Sequence, residues 1–149
     1  YYNARNVIGK GPRYNNPDKD ITGLGKQFII FNHDALEMYR SVFICEGALN
    51  ALTIGDRAIA TMGKAISQYQ VNELLKSQCQ RYIILLDPDA RSYAVNLALK
   101  LVAYKKVKVV FLPEGFDVND LGKKQTLKLV YATRYQSYQE LISIRNSLK

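Results

Sequence analysis

Between residues 41 and 112 the chain repeats one alternation: a short apolar run, a turn, then a helix-length stretch with an apolar stripe. "SVFICEG" leads into "ALNALTIG", and "AIATMG" into "SQYQVNELLK". "RYIILLD" leads into a stretch carrying Ala94, Leu97, Ala98, Leu101 and Val102 at helical spacing, and "KVKVVFLP" is a fourth run. Strands apolar on both faces, each followed by a helix, call for a parallel sheet covered on both sides. Gly55 closes the first helix, while Ser67 and Gln70 open the second at capping-box spacing with Val71, Leu74 and Leu75 behind them. The expected fold is α/β, a parallel sheet flanked by helices.

In such sheets ligands gather at the carboxyl ends of the strands. This chain places Glu46 and Gly47 there, then Gly63 and Lys64, then Asp87 and Asp89, then Asp117, Asn119 and Asp120. Two carboxylates about 5 Å apart repel by about 3 kcal/mol at an effective dielectric near 20. A divalent cation is the natural counterweight, and Mg²⁺ or Mn²⁺ takes oxygen ligands of this kind. Each residue also has a plainer reading. Asp89 and Asp117 suit helix caps, Gly47 and Gly63 suit strand-to-helix turns, and any single Lys suits a solvated surface. Cys45 faces the side of its strand opposite Glu46 and belongs to the core. His33, the only histidine, is given no role.

The net charge of +8 over 149 residues is unevenly placed. Residues 123–149 hold six Lys or Arg against one acid, whereas residues 41–122 hold nine against eight. Basic flanks around a nearly neutral centre suit a polyanion whose phosphates meet bound cations. The opening, with Tyr1, Tyr2, Arg5, Lys10, Arg13 and Tyr14, mixes cations with rings on which unpaired bases stack; an ordinary sheet edge reads the same way. No run has the apolar length of a membrane span. Cys45 and Cys79 form no CxxC pair, which argues against a zinc site or disulfide framework and for a reducing, cytoplasmic setting. The chain divides at residues 1–40, rich in Gly, Asn and Pro towards its start, 41–122, the alternating core, and 123–149. From Thr126 onward the tail reads as two helices, with Ser137 and Glu140 as a further capping box. The strand-like opening suggests a piece of a longer protein.

At "VFICEGALNAL", "ATMGKAIS", "IILLDPDA" and "FLPEGFDVNDL" the sequence resembles the successive motifs of the Toprim domain of bacterial and phage-type DNA primases. The upstream "GPRYNNP" and "GLGKQFIIF" resemble the basic element that precedes that domain, so residues 1–40 are expected to be a remnant of it. The resemblance covers roughly residues 4–122. It implies a core that builds short RNA primers on single-stranded DNA from ribonucleoside triphosphates with Mg²⁺ or Mn²⁺. The setting it implies is a bacterial or phage-infected cell, with a replicative helicase as partner, fused or separate. Glu46 matches the family's acid with an acid–base or metal role. Asp87 and Asp89 match its metal-binding pair, and Asp117 matches the first acid of its last motif. Arg13, Tyr14 and Lys26 match positions of the template and nucleotide groove, and Lys64 is a further phosphate candidate. Three departures stand out. Pro88 replaces a Gly between the paired acids, and Arg91 lies one position beyond the family's Arg. The last motif leaves Asn119 and Asp120 as alternatives for the final metal contact.

The sequence carries no P-loop and no zinc-binding module, so helicase and template-selecting functions are expected outside it. Two rivals share the motifs: a Toprim nuclease or topoisomerase, and a non-catalytic nucleic-acid-binding module of a repair mediator. Topoisomerases need a nucleophilic tyrosine, and none of the eleven here is marked by its context. A phospho-receiver ranks last, because its acid pair comes early and its lone acid later.

Overall fold

The computed structural model describes residues 25–148 and, as backbone, two short strands ahead of them, β1 (Ala4–Arg5) and β2 (Tyr14–Asn15), paired antiparallel. A 3-10 turn (Lys26–Phe28) and a short helix α1 (Ala35–Met38) lead into the alternating region. There β3 (Ser41–Cys45), α2 (Ala48–Ile54), β4 (Ala58–Ala60), α3 (Gln68–Lys76), β5 (Arg81–Leu85), α4 (Arg91–Leu101) and β6 (Lys106–Val109) follow in turn. Helices α5 (Val118–Ala132) and α6 (Tyr138–Ser147) close the chain.

The four strands β3 to β6 form a parallel sheet in the order β4-β3-β5-β6. The chain steps from β3 to β4 in one direction, then crosses back to lay β5 on the other side of β3. Winding therefore reverses between β3 and β5, the arrangement in which α/β sheets form a ligand crevice beyond the carboxyl ends of the strands. Strand alternation sorts the core into two layers. Val42, Ile44, Tyr82, Ile84, Val107 and Val109 pack with Val71, Leu74, Leu97, Leu101 and Leu141 beneath α3, α4 and α6. Cys45, Ile83 and Leu85 pack with Ala51, Ile54, Val118 and Val130 beneath α2 and α5. Each fully buried aliphatic side chain contributes roughly 1.5–3 kcal/mol, so the sheet is held from both faces.

Both outer strands are covered. Phe31 bridges to Ala60 beyond β4 through Phe31 N donating to Ala60 O (2.9 Å) and Ala60 N to Phe31 O (3.3 Å). At the other flank the Gln136 side chain takes the place of a neighbouring strand. Its Oε1 accepts from Val109 N (2.9 Å) and its Nε2 donates to Val109 O (3.3 Å). Its backbone N–H donates to Val107 O (3.1 Å).

Two helices do occupy the tail, but the first begins at Val118 rather than at Thr126. A capping box between Asp117 and Asp120 starts it, and it breaks at Gly122, whose φ of 71° is readily adopted only by glycine. No helix among the described residues is long and apolar enough to cross a membrane.

Candidate active site

Glu46 follows β3 directly, and Asp87 follows β5 after one more residue, so the two acids flank the point where the winding reverses. Glu46 Oε2 is buried and has no hydrogen-bond partner among the described residues. Burial first, then the charges of Asp87 and Asp89, push the Glu46 carboxyl up to about 7, while Lys64 and Lys26 pull it down. The same setting raises the buried Cys45 thiol, through burial and then Asp87, so Cys45 stays a core thiol.

Helix α2 brings a residue that the motifs do not single out. Asn50 is buried on its inward stripe, and its Nδ2 donates to Asp87 Oδ1 (3.1 Å). The amide fixes that carboxylate's direction without bringing a charge. A polar side chain four residues before Ile54, on the stripe the core claims, was the signal available in the sequence.

Two cations approach from the side of β4. Lys64 Nζ donates to Asp89 Oδ2 (2.8 Å), and that hydrogen bond, followed by the Asp89 charge, raises the Lys64 ammonium. Lys26 reaches the same place from its 3-10 turn: its Nζ lies 3.4 Å from where a Cβ on Gly63 would stand. Gly63 has φ 145° and the preceding Met62 φ 62°, so the chain bends sharply off β4. Gly63 N then donates to Glu46 O (3.2 Å), tying that bend to the tip of β3. Gly47 has an ordinary φ of −111° and open space around it, so its backbone stays uncovered without needing glycine's freedom.

Gln70 holds the Lys26 segment in position. Buried at the first turn of α3, it accepts from Ser67 N through Oε1 (3.0 Å) to complete the helix cap. Its Nε2 donates to Ile29 O (2.7 Å) and Thr61 O (2.8 Å), with a longer contact to Lys26 O (3.4 Å). Ser67 Oγ adds a bond to Gln27 O (2.6 Å).

Asp117, Asn119 and Asp120 are arranged differently. Asp117 Oδ1 accepts from Asp120 N (2.8 Å) and Asp120 Oδ2 from Asp117 N (3.0 Å), a reciprocal cap for α5. Asn119 Oδ1 accepts from Thr53 Oγ1 on α2 (3.0 Å). Arg91 turns towards the loop after β6, pairing with Glu114 Oε1 (2.8 Å) and donating to Leu112 O (3.2 Å). Arg13 lies outside the described residues, as does the side chain of Tyr14.

Among the described residues no three His, Cys, Asp or Glu side chains form a group that would by itself hold a metal ion. The described residues therefore offer no complete cage of protein ligands. What does fit a cation is the buried, unbonded Glu46 oxygen beside Asp87 and Asp89, since carboxylates crowded this way are relieved by positive charge. Magnesium suits such partial sites, because it retains waters and takes further oxygens from substrate phosphates.

No family model matches the chain. A DNA primase of Aquifex aeolicus (strain VF5) is 29% identical over 140 residues, which span 85% of this chain and 28% of that protein. The catalytic core of the E. coli primase superposes with a TM-score of 0.74 at 19% identity, covering 98% of this chain and 50% of that one. The chain has the fold of a primase catalytic core. A DnaG primase catalytic domain bound to single-stranded DNA agrees, with a TM-score of 0.70 at 19% identity over 89% of this chain and 47% of that one. The resemblance to primases and the α/β architecture read from the motifs are both borne out. The chain spans about a quarter of the length of its Aquifex relative and half of the E. coli primase core.

Proposed function

We propose that this chain is the catalytic part of a DNA primase, a nucleotidyltransferase that builds short RNA primers on single-stranded DNA. The observation that carries the reading is the group of side chains at the carboxyl tips of β3 and β5. There a buried Glu46 oxygen lacking a partner among the described residues lies beside Asp87 and Asp89, flanked by Lys26 and Lys64. The sequence relative named a DNA primase and the neighbour solved with single-stranded DNA support the same assignment.

In the proposed reaction a 3′-hydroxyl attacks the α-phosphorus of a ribonucleoside triphosphate. The new P–O bond forms as the bond to pyrophosphate breaks, and the hydroxyl proton is released. Burial beside Asp87 and Asp89 raises the Glu46 carboxyl before any metal binds, and in its ionised form Glu46 is placed to accept that proton. Asp87, oriented by Asn50, and Asp89, together with Glu46, are the residues that would hold Mg²⁺ or Mn²⁺. Such ions, when bound, neutralise charge on the attacking and leaving oxygens. Lys26 and Lys64 receive the triphosphate as point charges. Once the crevice is loaded, Lys64 exchanges Asp89 for phosphate oxygen. Arg13 and Tyr14 are assigned to the template side, Gly47 and Gly63 to close backbone approach, and Asp117, Asn119 and Asp120 to the rim. The working partners are the template strand, ribonucleotides and a helicase in the cytoplasm, with residues 1–40, 41–122 and 123–149 as basic element, core and helical tail.

The test is incorporation of labelled ribonucleotides on single-stranded DNA with Mg²⁺ or Mn²⁺. Wild type should extend primers and Asp87→Asn should not. Equal incorporation by both would refute the assignment, and nicking of supercoiled plasmid without nucleotides would replace it with strand cleavage.

A further inference from the structure

Beyond the crevice, α4 and α6 lay two matching stripes against each other. On α4, Tyr93, Asn96 and Lys100 are spaced i, i+3 and i+7 and share one face; on α6, Tyr138 and Arg145 are spaced i and i+7. Together with Lys64 they line a groove of about 490 Å³ with an aliphatic floor. No acidic side chain lines it among the described residues. Glu140, the acid of α6, pairs instead with Arg134. Tyr93 and Tyr138 are 42% and 57% exposed, leaving ring faces open to a ligand. Arg145 Nε is buried and has no hydrogen-bond partner among the described residues, a donor in place without an acceptor.

From these residues we infer that the groove between α4 and α6 binds a short segment of single-stranded nucleic acid, entering at Lys64 from the catalytic crevice. Three cations along the groove meet phosphates, and two rings offer stacking surfaces to bases of any sequence, the combination that binds single strands without reading them. Lys64 belongs to both places, so a strand in the crevice continues into the groove without a gap. Seven residues of α4 separate Tyr93 from Lys100, about 10 Å of helix axis, which accommodates two or three nucleotides at a stacked spacing of about 3.4 Å. An apolar protein partner would leave Lys100 and Arg145 facing it without counter-charge, Lys64 being paired with Asp89. The inference rests on the proposed function for the identity of the strand, not for the existence of the groove.

The experiment is fluorescence anisotropy of a labelled oligodeoxythymidylate with the 149-residue chain, without divalent metal or nucleotides, so that it reads binding independently of synthesis. Lys100→Glu should weaken binding about tenfold at low salt and lower the slope of log K against log salt by about one. Tyr93→Ala should weaken it about fivefold with the slope unchanged, as loss of a stacking surface does. Both positions are exposed, and circular dichroism melts that match wild type keep the comparison valid. Affinity should rise from mononucleotide to trinucleotide. Wild-type affinity in both variants would overturn the inference. A mononucleotide binding as tightly as the oligonucleotide would also overturn it, assigning the groove to free nucleotide. Loss of binding in the variants while wild type makes no primers would sink the proposed function and leave the groove standing.

Discussion

Acids follow the tips of β3 and β5 and again precede α5, and these two regions use their carboxylates differently. In the loop before α5, Asp117 and Asp120 each commit one carboxylate oxygen to the other's backbone N–H group. At the tip of β5 Asp87 makes no side-chain cap for the 3-10 turn (Pro88–Ala90) that follows it, and its Oδ1 accepts from Asn50 instead. Glu46 meanwhile keeps an oxygen buried without a partner among the described residues. Carboxylates that cap stabilise the fold, while a buried carboxylate oxygen without a partner among the described residues, that of Glu46, suits something that arrives later. The first kind is expected to govern stability and the second kind turnover.

The sharpest attempt to break that division is substitution within the crevice. Glu46→Gln should lower nucleotide incorporation by about 10²–10⁴-fold, the range for removing a proton-transferring group, with a melting temperature at or above that of wild type. Asp87→Asn should lower incorporation at least about tenfold by removing a carboxylate that would hold the cation. Asn50→Leu should follow, with an activity loss of about tenfold from a misdirected Asp87. The lost amide hydrogen bond is worth about 1.5–3 kcal/mol because its acceptor is charged. Asp117→Ala should do the reverse. Losing the cap costs about 1 kcal/mol, seen as a lower denaturant midpoint, while activity stays within a few-fold. Should Asp117→Ala instead abolish incorporation at unchanged stability, the two regions are not different in kind.

A smaller effect separates them by pH. The folded state holds the Glu46 proton up to about 7, whereas the unfolded chain releases it in the ordinary carboxylate range. Between those points the folded state binds more protons, so this group's contribution to stability falls as pH rises through the interval. Without metal, wild type should therefore lose melting temperature from pH 5 to pH 8 relative to Glu46→Gln. Millimolar Mg²⁺ should restore part of the loss at pH 8 in wild type and none in the Glu46→Gln, Asp87→Asn double variant.

Much of this was legible before any coordinates. Apolar runs separated by striped segments specify strands and helices because both periods are local properties. The boxes at Ser67–Gln70 and Ser137–Glu140 were legible for the same reason, each being contained within four residues. Strand order was not legible, since nothing local tells β5 to cross over β3. Asn50 and the far side of Gln70 were hidden likewise. Capping by the Gln70 oxygen is set by sequence spacing, but its amide meets carbonyls of residues 29 and 61, which only the tertiary fold brings near. Asp117 shows the remaining ambiguity: an Asp ahead of a helix is the same letter whether it caps, ligates or does both, and its Oδ1 bond to Asp120 N shows the cap alone.

The coverings over β4 and β6 set a limit on how far this chain tolerates trimming. Among the described residues Phe31 and Asn32 cover one flank and Gln136 the other. A truncation removing Phe31, or a Gln136→Ala change, would leave donors and acceptors pointing outward in register, and such a border recruits the same border of another molecule. The damage would first be visible as concentration-dependent association in solution rather than as loss of the folded domain.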